Sequence, residues 1–155
     1  MSAPLPATIH GTALVLGQAG VLLRGRSGAG KSLLALALLE RWALKGLAAG
    51  LVSDDRVILE LVDGAIVMAA PPSIAGLIEL RGRGIISRPA QGPARLDLVI
   101  DLVDQLERMP EESAFTTEVL GIRLAAAPVP AGPIIGLEHQ LLLVSAALAE
   151  LSAAH

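Results

Sequence analysis

A chain of 155 residues, 53% of them apolar, carries enough aliphatic bulk to bury one core of ordinary domain size. A formal charge of -3 with no basic run argues against nucleic-acid and membrane-surface roles, and Trp42 and Phe115 are the only aromatics, too few to stack bases. The lack of cysteine excludes disulfides, thiol nucleophiles and zinc–thiolate sites. The opening MSAPLPATIH has neither the charged nor the apolar region of a secretory signal, and no stretch approaches the roughly 20 apolar residues of a membrane span. The expectation is a cytoplasmic protein with a single domain over residues 1–155, its aliphatic core suited to a parallel sheet covered by helices.

In chain order, residues 8–15 and 20–24 are β-rich, separated by the turn Gly17-Gln18-Ala19-Gly20. A glycine-rich loop follows, and then Leu33, Leu34, Leu36, Ala37, Leu38 and Trp42 recur at helical spacing up to Lys45, where Gly46 is a stop signal. Leu51-Val52-Ser53 leads into Asp54-Asp55. Residues 57–61 and 65–69 flank Asp63-Gly64, a strong hairpin signal. Pro71-Pro72 breaks the pattern, residues 76–88 read as a loop rich in Gly and Arg, and Gln91-Gly92-Pro93 as another loop. Residues 96–103 form an apolar strand, 108–113 a charged turn and 116–124 a further strand. Pro128, Pro130, Gly132 and Pro133 read as a stiff connector, and 135–151 as a helix.

The loop, residues 25–32, reads Gly-Arg-Ser-Gly-Ala-Gly-Lys-Ser. Gly25, Gly30, Lys31 and Ser32 satisfy G-x-x-x-x-G-K-[ST], with a strand before and a helix after. Glycines let backbone N–H groups turn around phosphate oxygens, and the helix N-terminus adds partial positive charge. The whole run (Gly25, Arg26, Ser27, Gly28, Ala29, Gly30, Lys31, Ser32) is therefore the expected nucleotide cradle, most simply for ATP. Lys31 is placed to reach the terminal phosphates and the Ser32 hydroxyl to ligate Mg2+. One of only two lysines in the chain occupies the required place. The chain has no asparagine, which removes the guanine-reading element of GTPases.

Two places offer an acidic partner: Asp54-Asp55 after a short strand, and Asp101 at the end of Leu98-Val99-Ile100, which looks more like a Walker B strand. Twin carboxylates can divide the labour, one on Mg2+ or water and one taking a proton from a hydroxyl. The blander alternatives are that one caps a turn while the other pairs with Arg56, and that Asp101 is a simple strand-end carboxylate. Glu79, Arg81 and Arg83 stand among glycines, where Arg can clamp phosphate oxygens and Glu79 can complete a metal site.

Taken together, the glycine loop, Leu51-Val52-Ser53-Asp54-Asp55-Arg56-Val57, Ala69-Ala70-Pro71-Pro72 and Leu77-Ile78-Glu79-Leu80-Arg81-Gly82-Arg83-Gly84-Ile85-Ile86 resemble the catalytic domain of HPr kinase/phosphorylase, over residues 7–104. His10, in an Ile-His-Gly context, falls where that family carries an active-site histidine. The resemblance implies an α/β P-loop kinase domain like that of phosphoenolpyruvate carboxykinase, with a mixed β-sheet and flanking helices. It implies transfer of the γ-phosphoryl of ATP to a serine of HPr or an HPr-like phosphocarrier of the phosphotransferase system. The reverse reaction would be phosphorolysis, with pyrophosphate as product, or as donor when run backwards. It further implies Asp55 as base, with Asp54, Lys31, His10 and Arg81 beside it; Ser32 and Glu79 on Mg2+; and a homo-oligomer, hexameric in the family. The chain would be a short form consisting of the catalytic domain, without the N-terminal regulatory domain of longer members. Two departures stand out. Arg26 replaces a commonly acidic residue, and residues 129–137 lack the family's loop arginine, leaving Arg123 as the nearest candidate. Two other readings are a small-molecule P-loop kinase with an Arg-rich lid over residues 81–95, and a non-catalytic ATP-sensing module.

Overall fold

The computed structural model describes residues 6–154. The first strands are β1 (Ala7–His10), β2 (Thr12–Leu16) and β3 (Ala19–Arg24), followed by helix α1 (Lys31–Leu44). Residues 8–15, read as one β-rich run, are thus two strands. The break is at Gly11, where an added Cβ would stand 3.0 Å from the Leu23 carbonyl oxygen and 3.3 Å from Leu22 Cδ1. Side-chain-free Gly11 is what lets the chain step from one sheet to another here.

Next come β4 (Ala49–Ser53), β5 (Arg56–Val62) and β6 (Ala65–Ala69). Asp63 and Gly64 turn between β5 and β6 with φ of 50° and 77°, the doubly left-handed conformation that favours Asp-Gly in tight hairpins. The stretch expected to be an Arg/Gly loop is instead a hairpin of β7 (Leu77–Leu80) and β8 (Gly84–Ser87), with Arg81-Gly82-Arg83 at its tip. Gly82 and Gly84, at φ 94° and 111°, supply the reversal that the glycines had suggested as looseness.

The chain continues through β9 (Ala94–Arg95), β10 (Leu98–Val103), β11 (Thr116–Val119), β12 (Ile122–Pro130) and helix α2 (Leu137–Ala153). The run expected as one strand over 116–124 is a hairpin, reversed by Leu120 and Gly121 at φ 49° and 79°. Pro128 and Pro130, expected in a connector, lie inside β12, which pairs in parallel with β10. The Ala131 N–H donates to the Val103 carbonyl on the β10 side. By alternation, positions 128 and 130 face the other way, and β11 pairs only as far as Ala125. Proline is tolerated there because no ladder hydrogen bond is forgone.

Six strands form a mixed sheet in the order β11-β12-β10-β3-β2-β4, and four form an antiparallel sheet β1-β5-β6-β9. Both helices cover one face of the larger sheet, burying Leu34, Leu38, Trp42, Leu141 and Val144 against Leu23, Leu98 and Ile100. Each fully buried leucine contributes about 2 kcal/mol. The opposite face is covered by the smaller sheet through Leu22, Val52, Leu59, Met68 and Val99. The helices therefore flank one side only, and the second layer is a sheet. No described helix is long and apolar enough to cross a membrane.

The sheets also meet at Gly20, whose N–H donates to Asp97 Oδ2 at 2.9 Å and whose carbonyl accepts the Asp97 N–H at 2.8 Å. A Cβ there would stand 1.8 Å from the Arg95 carbonyl oxygen. Gly20→Ala is expected to cost about 3 kcal/mol or more, lowering the melting temperature by roughly 10 °C in a thermal scan.

Candidate active site

The glycine loop leaves β3 at the C-terminal end of the larger sheet. Gly25 packs so close to β10 that a Cβ would come within 2.9 Å of Leu102 Cβ, and Gly28 and Gly30 adopt φ of 83° and 94°. Helix α1 starts from Gly30 with no side-chain cap and no acidic residue in its first turn. Its first N–H groups thus face the loop without a competing carboxylate on their own turn. The Lys31 side chain is buried and folds back, donating from Nζ to the carbonyls of Gly25 and Arg26, both at 2.9 Å. Burial lowers its pKa from the usual 10.5, opposed by the fields of Asp55 and Asp54 and assisted by Arg26.

The twin aspartates at the end of β4 point different ways. Asp54 turns inward and is buried: its Oδ1 accepts from Ser32 Oγ at 2.7 Å and from Thr12 Oγ1 at 2.9 Å, and its Oδ2 from the Glu79 N–H at 3.2 Å. One carboxylate therefore ties the loop, β2 and the β7–β8 hairpin together. Asp55 turns outward at φ 70°, a left-handed backbone that Asp adopts more readily than most residues. Its carbonyl accepts the Gly11 N–H at 3.0 Å, and its half-open carboxylate lies 3.1 Å from His10 Nδ1. Neither carboxylate pairs with Arg56, whose backbone N–H instead closes the turn onto the Asp54 carbonyl at 2.8 Å.

Asp101, the more Walker B-like carboxylate by sequence, is elsewhere. It takes Arg24 Nε at 2.9 Å and Nη2 at 3.2 Å, and that guanidinium also reaches Thr117. Along β10, Leu98, Ile100 and Leu102 face the helices while Val99 faces the second sheet, which puts Asp101 on the face away from α1. The carboxylate against the loop serine is Asp54.

Glu79 is half-exposed beside Asp54, with its carboxylate 3.8 Å from Arg81 Nε. The Arg81 guanidinium reaches over the loop, with Nη2 3.9 Å from where a Cβ on Gly28 would stand. Arg26 pairs with Asp104 at 3.0 Å, on the segment after β10. Ser27 and Ala29 remain loop positions, the Ala29 N–H donating to the Arg26 carbonyl. Arg123 is not brought to this end. It pairs across the hairpin with Glu118, five residues before Pro128, which is in register with Asp101; at about 3.3 Å per residue that is roughly 16 Å along β12. Thr12 and Asp104 were missed by sequence reasoning. Only the position of Thr12, two residues past His10, hinted at it. Among the described residues no three His, Cys, Asp or Glu side chains form a metal cage.

Residues 4–135 match the family model of the HPr Serine kinase C-terminal domain. The chain is similar to the HPr kinase/phosphorylase of Lacticaseibacillus casei (strain BL23), 37% identical over 112 residues, 70% of this chain and 33% of that protein. It is also similar to that of Bordetella petrii, 34% identical over 128 residues, 74% of this chain and 39% of that protein. A solved structure from Coxiella burnetii, described as the Hpr(Ser) kinase/phosphatase, superimposes with a TM-score of 0.76 at 28% identity, covering 96% of this chain and 94% of that one. The chain thus spans between a third and two fifths of the length of those two curated relatives. The chain belongs to the HPr serine kinase C-terminal domain family.

Proposed function

We propose that the protein is an ATP-dependent protein-serine kinase acting on HPr or an HPr-like phosphocarrier. The reading rests above all on the convergence of Lys31, the Ser32–Asp54 pair and the Asp55–His10 pair around one glycine loop. The loop amides and Lys31 bind the phosphates, and Arg81 is placed to add charge from above. Asp55 is the one carboxylate of the pair left open to an incoming hydroxyl. It takes the serine proton as Oγ bonds to the γ-phosphorus and the bond to the β,γ-bridging oxygen breaks, releasing ADP. His10, 3.1 Å away, holds that carboxylate in orientation. In phosphorolysis, inorganic phosphate attacks the phosphoserine phosphorus, protonated Asp55 returns its proton to the serine oxygen, and pyrophosphate leaves.

The site chemistry suits Mg2+, a hard cation that takes few protein carboxylates and fills its shell with water and phosphate oxygens. The Ser32 hydroxyl and Asp54 carboxylate already converge within 2.7 Å, with Glu79 alongside; these residues would hold the ion. When bound, it supplies neutralisation of phosphate charge.

The test is incubation of radiolabelled ATP with HPr-like proteins of the host. Label on a serine of one of them is the expected result. Label on a small molecule, or nucleotide binding with no transfer, overturns it in favour of a metabolite kinase or a sensor. Adding inorganic phosphate to phosphorylated HPr is expected to release pyrophosphate.

The buried lysine adds a pH signature. Its folded pKa lies below 10.5, so between the two values the unfolded chain binds the extra proton. Stability of the nucleotide-free protein is therefore expected to rise with pH across that alkaline window, as the buried ammonium discharges. Nucleotide affinity falls through the same window. Thermal melts and nucleotide titrations across it check both, and Lys31→Met is expected to remove both trends.

A further inference from the structure

His10, Gly11 and Thr12 are consecutive, and each grips one of the two aspartates. His10 faces the Asp55 carboxylate, the Gly11 N–H holds the Asp55 carbonyl at 3.0 Å, and Thr12 Oγ1 donates to Asp54 Oδ1 at 2.9 Å. The strand opposite is irregular at this point. Ala13 pairs with Ser53 but Leu14 with Leu51, so Val52 is the extra residue of a bulge two residues before Asp54, and Asp54 itself lies past the last rung, Ala13–Ser53. A bulge re-aims the side chains that follow it and loosens the ladder that would otherwise fix them. Something other than the ladder must therefore set the direction of Asp54.

We propose that Thr12 is a positioning residue that aims the Asp54 carboxylate at Ser32 and the metal-binding side of the loop. Its side chain is buried, 1% exposed, and the hydroxyl spends its proton on Asp54. Asp54 has three donors, from β2, from α1 and from the β7–β8 hairpin. Ser32 must turn its oxygen toward a cation when one binds, and the Glu79 amide is the longest of the three contacts at 3.2 Å. Thr12 is the donor that is both buried and free of any other duty. It keeps the carboxylate oriented while Ser32 exchanges partners. Valine has the same shape without the hydroxyl, so Thr12→Val removes the contact and little volume, whereas Thr12→Ser keeps it.

This rests on the Mg-nucleotide part of the proposed function and not on the identity of the phosphate acceptor. The experiment is a Mg2+ titration of ATP binding by calorimetry, alongside thermal melts, on wild type, Thr12→Val and Thr12→Ser. Thr12→Val is expected to raise the half-saturating Mg2+ about tenfold, equivalent to about 1.4 kcal/mol, and Thr12→Ser to stay within about twofold of wild type. A Thr12→Val curve that overlies wild type overturns the proposal, as does a change in melting temperature with no change in the Mg2+ midpoint. Should Thr12→Val not fold, Thr12→Ala against Thr12→Ser gives the same comparison. Loss of transfer to HPr in wild type with this Mg2+ pattern intact would overturn the kinase reading alone.

Discussion

Asp55→Asn is expected to lower phosphotransfer to the protein serine by about 10²- to 10⁴-fold while leaving nucleotide affinity and stability nearly unchanged. The carboxylate is 67% exposed and makes one contact, to His10, so its loss costs the fold little. Asparagine tolerates the φ of 70° as well as aspartate does, and stability should stay within about 0.5 kcal/mol. What disappears is the group able to take the hydroxyl proton. Single-turnover transfer with radiolabelled ATP, read beside a nucleotide titration, is the measurement. Undiminished transfer would remove Asp55 from the chemistry.

The neighbouring position should behave in the opposite way. Asp54→Ala leaves the hydroxyls of Thr12 and Ser32 and the Glu79 amide without their shared acceptor, in a place where Thr12 is almost fully enclosed. Unsatisfied buried donors cost about 1–3 kcal/mol, which for a chain of this size lowers the melting point by several degrees. Activity should fall by about two orders of magnitude or more, with the loss expressed as a higher Mg2+ requirement as well as a lower rate. A thermal melt and a Mg2+ titration separate the two phenotypes. Two adjacent carboxylates that fail differently, one in chemistry only and one in both fold and metal use, are what the outward and inward orientations demand.

Much of this arrangement can be read from local patterns. The glycine loop, α1 and the Asp-Gly hairpin are determined by residues close together in sequence, where turn chemistry and helical spacing act directly. What could not be read depends on which face of which sheet a residue meets. Asp54 follows the apolar strand β4 and Asp101 lies within the apolar strand β10, and the local pattern alone points to the wrong one as Walker B-like. The difference is that Asp101 emerges on the face away from α1, where Arg24 takes it. The division of residues 8–15 into strands of two sheets turns on the space around Gly11, a tertiary fact. The arginine–glycine segment looked irregular because glycine is a poor strand former. The same glycines are what close the β7–β8 hairpin and bring Arg81 over the loop.

The prolines of β12 have a consequence for self-association. Past Ala125 this strand is no longer paired by β11, so its outer side is an edge of the six-stranded sheet. Edges with free N–H groups invite a second copy to continue the ladder. At positions 128 and 130 the edge offers carbonyls and ring carbons but no donors, so two adjacent rungs of an intermolecular sheet would each lack the hydrogen bond this strand should donate. Copies of this chain that assemble are kept from extending the sheet along this stretch.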